Sequence, residues 1–173
     1  FKLITVSSYY PHKNLEIINN VLNYIPEKYD IKFYLTLPVD IFIKKFKKCN
    51  QIINLGPQFI ANCPKLYYLS DVVFLPTLLE TFSASYPEAM IMNKPIITSN
   101  LSFAKDICDS SAEYFNPLDP KDIAKKIINL YSNKKRYSQL VELGKKRVKI
   151  FPNSNERAKK YLNICYEQII KND

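Results

Sequence analysis

Apolar and polar positions follow two alternating rhythms along the 173-residue chain. Short apolar runs at Phe1–Val6, Ile31–Leu35, Gln51–Leu55, Val72–Leu75, Pro95–Thr98 and Glu113–Phe115 predict strands. Between them the apolar positions take helical spacing. Asn14–Ile25 places Leu15, Ile18, Val21, Leu22 and Ile25 on one face and stops at Pro26. Short helices are predicted at Pro38–Phe46, Pro64–Leu69 and Phe103–Ile107, with another opening near Glu88. The last third is helical throughout. Asp119–Ser132 carries Ile123, Ile127, Ile128 and Leu130, Lys134–Ile150 carries Tyr137, Leu140, Val141 and Val148, and Asn155–Ile170 carries Tyr161, Leu162 and Ile169. Strands alternating with helices over almost the whole length predict an α/β fold, a parallel sheet with helices on both faces. No internal repeat or low-complexity linker interrupts the pattern, so residues 1–173 are expected to form one domain.

The segment Pro76–Ser99 places two carboxylates in one strand-loop-helix passage. Pro76 ends the run Val72–Leu75, Glu80 falls in the loop beyond it, and Glu88 lies in the first turns of the next helix. The carboxyl edge of such a strand is where open α/β sheets bind ligands.

Composition narrows the chemistry. With 47% hydrophobic residues the chain can bury a core without staples. Cys49, Cys63, Cys108 and Cys165 are far apart and form no CxxC pair, which predicts reduced thiols in a cytoplasmic protein and no metal cluster. There is no apparent leader or membrane span, and Phe1 lies inside a strand-like run, so a piece of a longer protein is expected. Only two glycines occur, Gly56 and Gly144, too few for a GxGxxG turn or a Walker-type phosphate loop. A helix amino terminus remains as a phosphate cradle. The net charge of +9 invites a polyanion-binding reading, but arginine occurs only at positions 136, 147 and 157. Phosphate and base recognition favour arginine's planar fork. The lysine clusters Lys44-Lys45, Lys47-Lys48, Lys134-Lys135 and Lys145-Lys146 fall in amphipathic stretches, and solvated helix faces account for them without nucleic acid.

Several of these features occur together in order: His12-Lys13-Asn14 after the first strand, Ser70 through Pro76, the spaced pair from Glu80 to Glu88-Ala89-Met90, and Asn116-Pro117-Leu118-Asp119-Pro120 before a helix. In this the chain resembles the carboxyl-terminal half of the group 1 (family 4) retaining glycosyltransferases, enzymes of two-domain GT-B architecture with Rossmann-like halves. The resemblance implies a nucleotide-diphosphate-sugar donor held in this half. It assigns the ribose hydroxyls to Glu88, the donor sugar to Glu80, the diphosphate to Lys13, and the rest of the anion site to backbone N–H groups around Phe82, Ser83 and Ala84. It further implies retention of configuration without a metal or other cofactor, and a glycan or lipid-linked acceptor bound by a preceding half that also makes any peripheral membrane contact. The location expected is cytoplasmic, extending to the inner face of the membrane. Alone, this half is expected to bind nucleotide and transfer little or nothing. The final helix is expected to cross back onto the missing half and to leave apolar surface exposed.

The chain also departs from the family. Ser7-Ser8-Tyr9-Tyr10 fills a region where an arginine is common, and Ser83 and Asn93 stand where glycines are common. A non-catalytic module with a degenerate site is therefore an alternative, as is a polyanion-binding domain. Individual residues have plainer readings too. Ser85-Tyr86-Pro87-Glu88 fits a capping box in which the glutamate only satisfies a helix start. Lys13 close to a helix amino terminus is unfavourable unless an anion sits beside it. His12, the only histidine, suits a phosphate or sugar contact and a solvated turn equally. Tyr9 and Tyr10 suit packing against the strand edge better than stacking on a base. The base contacts are expected near Leu55-Gly56-Pro57 and residues 63–66.

Overall fold

A computed structural model of the protein describes residues 1–170. Strands β1 (Lys2–Thr5), β2 (Lys32–Leu35), β3 (Ile52–Asn54), β4 (Val72–Leu75), β5 (Ile96–Ser99) and β6 (Ala112–Phe115) form one sheet. All neighbours are parallel and the order is β3-β2-β1-β4-β5-β6. Every residue of β4 and β5 is buried, which explains why β4 reads as an unbroken apolar run rather than an alternation.

The helices are α1 (Ile18–Val21), α2 (Val39–Lys45), α3 (Cys63–Leu69), α4 (Ser85–Ile91), α5 (Ser102–Cys108), α6 (Pro120–Ser132), α7 (Lys134–Arg147) and α8 (Ser154–Ile170). On one face of the sheet Leu3, Phe33, Val72 and Phe74 pack with Ile18 and Val21 of α1 and Ile123 and Ile127 of α6. On the other, Ile4, Val73 and Ile96 pack with Tyr67 of α3, Tyr86 and Met90 of α4 and Ile107 of α5. This is the doubly wound, Rossmann-like arrangement expected from the alternation of strands and helices.

Local chemistry sets the ends of these elements. Asp119 caps α6, its carboxylate accepting from the N–H groups of Lys121 and Asp122 at 2.9 and 3.2 Å. Asn93, standing where family members often have glycine, has φ 57° just beyond α4 and donates its N–H to Met90 O at 3.1 Å. Asparagine is among the side chains that best tolerate this left-handed conformation, so the departure leaves the helix end intact.

The segment expected to be one helix over Asn14–Ile25 is instead two 3₁₀ turns, Leu15–Ile17 and Leu22–Tyr24, flanking a single α turn. Leu15, Ile18 and Val21 recur every third residue, a spacing that suits three residues per turn, and the branched Ile17-Ile18 and Asn19-Asn20 are weak α-helix formers. The end of the predicted Lys134–Ile150 helix likewise tightens into a 3₁₀ turn at Val148–Ile150. Every side chain of α8 from Ser154 to Gln168, and that of Ile169, is exposed. The four cysteines are free thiols.

Candidate functional site

The chain leaves β1 and β4, which are neighbours, toward opposite sides of the sheet, so their carboxyl ends open a crevice at the point where the strand order reverses. A cavity of about 40 Å³ lies there, lined by Thr5, Ser7, Lys13, Thr77, Glu80 and Ser85 among others. Beside it, toward β2 and β3, a wider hollow of about 230 Å³ is lined by Ser7, Ser8, Thr36, Pro57 and Gln58.

Lys13 and Glu80 meet in the crevice, the Lys13 ammonium donating to Glu80 Oε1. Their side chains are only 20% and 12% exposed, so the anion that compensates Lys13 in this chain is Glu80 itself. The loops that carry them are tied together. His12 O accepts the Leu78 N–H at 2.7 Å and lies 3.1 Å from the Thr77 hydroxyl, which is also 3.3 Å from Glu80 Oε1. Asn14 follows with φ 54°, and its amide donates to Pro76 O at 3.2 Å and to Pro117 O at 2.9 Å. One side chain thus joins the loops that follow β1, β4 and β6. The His12 ring stacks on Tyr10 with centroids 5.6 Å apart. Tyr9 turns away from the crevice, donating its hydroxyl to Glu16, which Lys45 approaches to 3.3 Å. Burial pushes the Glu16 carboxyl up, yet hydrogen bonds from Tyr9 and Lys45 outweigh it and hold the group below its ordinary value.

Glu88 belongs to a second cluster. Its Oε2 accepts from the Tyr67 hydroxyl at 2.8 Å, and Cys63, one turn before Tyr67 on α3, is close enough for the Glu88 charge to act on its thiol. Burial, then Glu88, pushes the Cys63 thiol up. The capping box does not form. The helix begins at Ser85 and no side chain caps it, so Ser85 sits one position too late for the motif and the Glu88 carboxylate goes to Tyr67 instead. Phe82, Ser83 and Ala84 lead into α4; Ser83 is buried, while Phe82 is half-exposed and meets Phe151 edge-on at 6.1 Å.

The expected residues therefore fall in two adjoining groups, Lys13 with Glu80 and the His12 backbone, and Glu88 at the start of α4. Asn14, Thr77 and Tyr67 complete them; Asn14 stands in the His12-Lys13-Asn14 motif, but none of the three was assigned a role from the sequence. Asn14 carries the one legible signal, an asparagine directly before an apolar periodic segment, where left-handed backbone is common. Arginine serves elsewhere: Arg136 pairs with Glu113, and Arg147 donates to the carbonyl oxygens of Ile107 and Asp106 at 2.8 and 2.5 Å. Among the described residues, no three His, Cys, Asp or Glu side chains converge as metal ligands, and no helix is long and apolar enough to cross a membrane.

Comparison with solved structures finds the same architecture repeatedly. Sucrose-phosphate synthase from Thermosynechococcus elongatus superposes with a TM-score of 0.82 at 16% identity, over 99% of this chain and 46% of that one. HepE of Anabaena, in complex with UDP, gives 0.70 at 18% identity over 86% and 44%. A TarM variant from S. aureus, in complex with fondaparinux, α-GlcNAc-glycerol and UDP, gives 0.78 at 17% over 94% and 34%. At such identities the likeness establishes a shared fold, and the chain spans less than half the length of each. No curated protein matches the sequence. The family model for glycosyl transferases group 1 matches residues 1–133, the whole sheet and the crevice at its carboxyl edge. The chain belongs to the group 1 glycosyl transferases.

Proposed function

We propose that this chain is the donor-binding half of a two-domain glycosyltransferase, and that it holds a nucleotide-diphosphate sugar across the β1–β4 crevice. The observation that carries the proposal is the half-buried Lys13–Glu80 pair at the point where strand order reverses, with Glu88 on the adjoining helix. HepE structures containing UDP and UDP-glucose support a donor of this class.

Each side chain has chemistry suited to one part of the donor. The Glu88 carboxylate accepts from the vicinal ribose hydroxyls, each such charged hydrogen bond being worth about 1.5–3 kcal/mol. Lys13 exchanges Glu80 for the diphosphate, and Glu80 then accepts from hydroxyls of the sugar. Backbone N–H groups of Phe82, Ser83 and Ala84, with His12 at the rim, complete the anion site. As the anomeric C–O bond breaks, negative charge grows on the diphosphate oxygen, and a fixed ammonium with aligned N–H groups lowers that barrier. In this proposal a hexose unit moves with retention of configuration and without a metal. The acceptor, a glycan or lipid-linked precursor in polysaccharide synthesis, attacks on the face from which the diphosphate leaves, and the leaving oxygen takes its proton. A second half supplies the acceptor site, and α8 packs its exposed Tyr161, Leu162 and Ile169 against that half. The setting is the cytoplasm, up to the inner face of the membrane, with the second half making the membrane contact.

Calorimetric titration with UDP, GDP and ADP tests the donor site. One nucleotide should bind selectively, with Glu88→Ala weakening it about tenfold or more and Lys13→Ala weakening it as well. Absence of binding to all three by the folded intact protein would overturn the proposal.

A further inference from the structure

Glu88 is a surface carboxylate on a short helix, yet one of its oxygens is already taken from beneath. The Tyr67 hydroxyl, on a side chain only 1% exposed, donates to Glu88 Oε2 at 2.8 Å. Tyr67 lies on α3 and Glu88 on α4, so the contact bridges the two helices that flank β4. Building on the proposed role of Glu88 at the ribose, we infer that Tyr67 is a positioning residue for diol recognition: it holds the Glu88 carboxylate in one rotamer with acceptor capacity left free.

A carboxylate offers about four lone-pair sites. Tyr67 occupies one, so both oxygens can still accept, and a vicinal diol needs two acceptors. A free glutamate on a helix surface samples many rotamers, and freezing them on binding weakens affinity. The bond to a buried phenol removes much of that freedom before the ligand arrives. The phenol is also a dependable donor. Burial, followed by the Glu88 charge and hydrogen bond, pushes its ionisation far above the ordinary value. Ser85, at the start of α4, opposes this shift only in part.

A buried tyrosine hydroxyl requires an acceptor in any case, and Glu88 meets that need. What separates positioning from simple satisfaction is coupling to the ligand's hydroxyls. The test is therefore titration of the intact protein, as wild type, Tyr67→Phe, Glu88→Ala and the double variant, with UDP, GDP and ADP and their 2′,3′-dideoxy counterparts. Phenylalanine preserves the packed ring. Tyr67→Phe should weaken the selected parent nucleotide about tenfold, the order expected for one charged hydrogen bond. It should leave the dideoxy form within about twofold, and it should add nothing in the Glu88→Ala background.

If Tyr67→Phe weakens both nucleotides equally, or neither, while Glu88→Ala separates them, the positioning role fails and the ribose role of Glu88 stands. If Glu88→Ala does not separate them, the ribose role fails and this inference with it. A measurement on wild-type packing guards against an unstable variant. The Tyr67 hydroxyl proton should give a slowly exchanging downfield NMR resonance that persists with bound nucleotide. Its loss on nucleotide binding would show that the bond is released rather than used.

Discussion

Lys13 and Glu80 form a pair with little exposure in the crevice, and the pair constrains how an anion enters. A diphosphate must take the ammonium from a carboxylate that already holds it. Removing that competitor should separate binding from transfer. Glu80→Gln is expected to tighten binding of a nucleoside diphosphate lacking sugar by up to about fivefold at low salt, the scale of a partly solvated ion pair. The same variant should lose most transfer from the complete donor in the intact protein. Calorimetry at two salt concentrations and a transfer assay check both parts, and unchanged affinity would mean that the pair does not compete with the anion. Both carboxylates were legible in the sequence, because a strand stop, a loop and a helix start bracket them within one segment. Their pairings were not. Lys13 lies 67 residues from Glu80 and Tyr67 lies 21 from Glu88, and no local pattern encodes which side chains meet across such separations. The capping box failed for a related reason, since a shift of one residue in a helix start redirects a carboxylate and sequence reading is weakest at such boundaries.

At the level of elements, the predicted strands and helices all occur, because long apolar runs and proline stops are strong signals in a sheet buried on both faces. The departures are the last turn at Val148–Ile150 and the segment after Asn14, where threefold spacing served a 3₁₀ turn as well as an α-helix. Asn14 has two separable duties there: it adopts a left-handed backbone, and its amide bonds to Pro76 O and Pro117 O. Asn14→Gly keeps the first and loses the second, and is expected to destabilise by about 1–2 kcal/mol. Asn14→Ala loses both and should cost roughly a further 1 kcal/mol or more. Urea unfolding of the three proteins checks the order wild type, glycine, alanine; an alanine variant no worse than the glycine variant would refute the backbone part.

On the scale of the whole molecule, two packed cores enclose the sheet while α8 lies outside both, its side chains from Ser154 to Ile169 all exposed. A solitary helix of this length is marginal in water. Deleting residues 154–173 from this chain is accordingly expected to move its thermal midpoint by less than about 2 °C, since surface changes away from packed features cost little. Circular dichroism should lose only the corresponding helical signal, and a large fall in the midpoint would show that α8 supports the cores. The Asn14 amide also has a consequence for how this scaffold can diversify. Because it fastens three loops of the crevice at once, the turns after β1, β4 and β6 cannot lengthen or be exchanged one at a time without tearing a shared fastening. The hollow walled by Thr36, Pro57 and Gln58 also takes Ser7 and Ser8 from the turn after β1, and the Ser7 N–H donates to the Thr36 hydroxyl at 3.0 Å. Asn54 in turn holds Leu37 through both its amide N–H and its oxygen, so the turns around the crevice are linked from β3 to β6 and new ligand preferences call for transplanting them as a set.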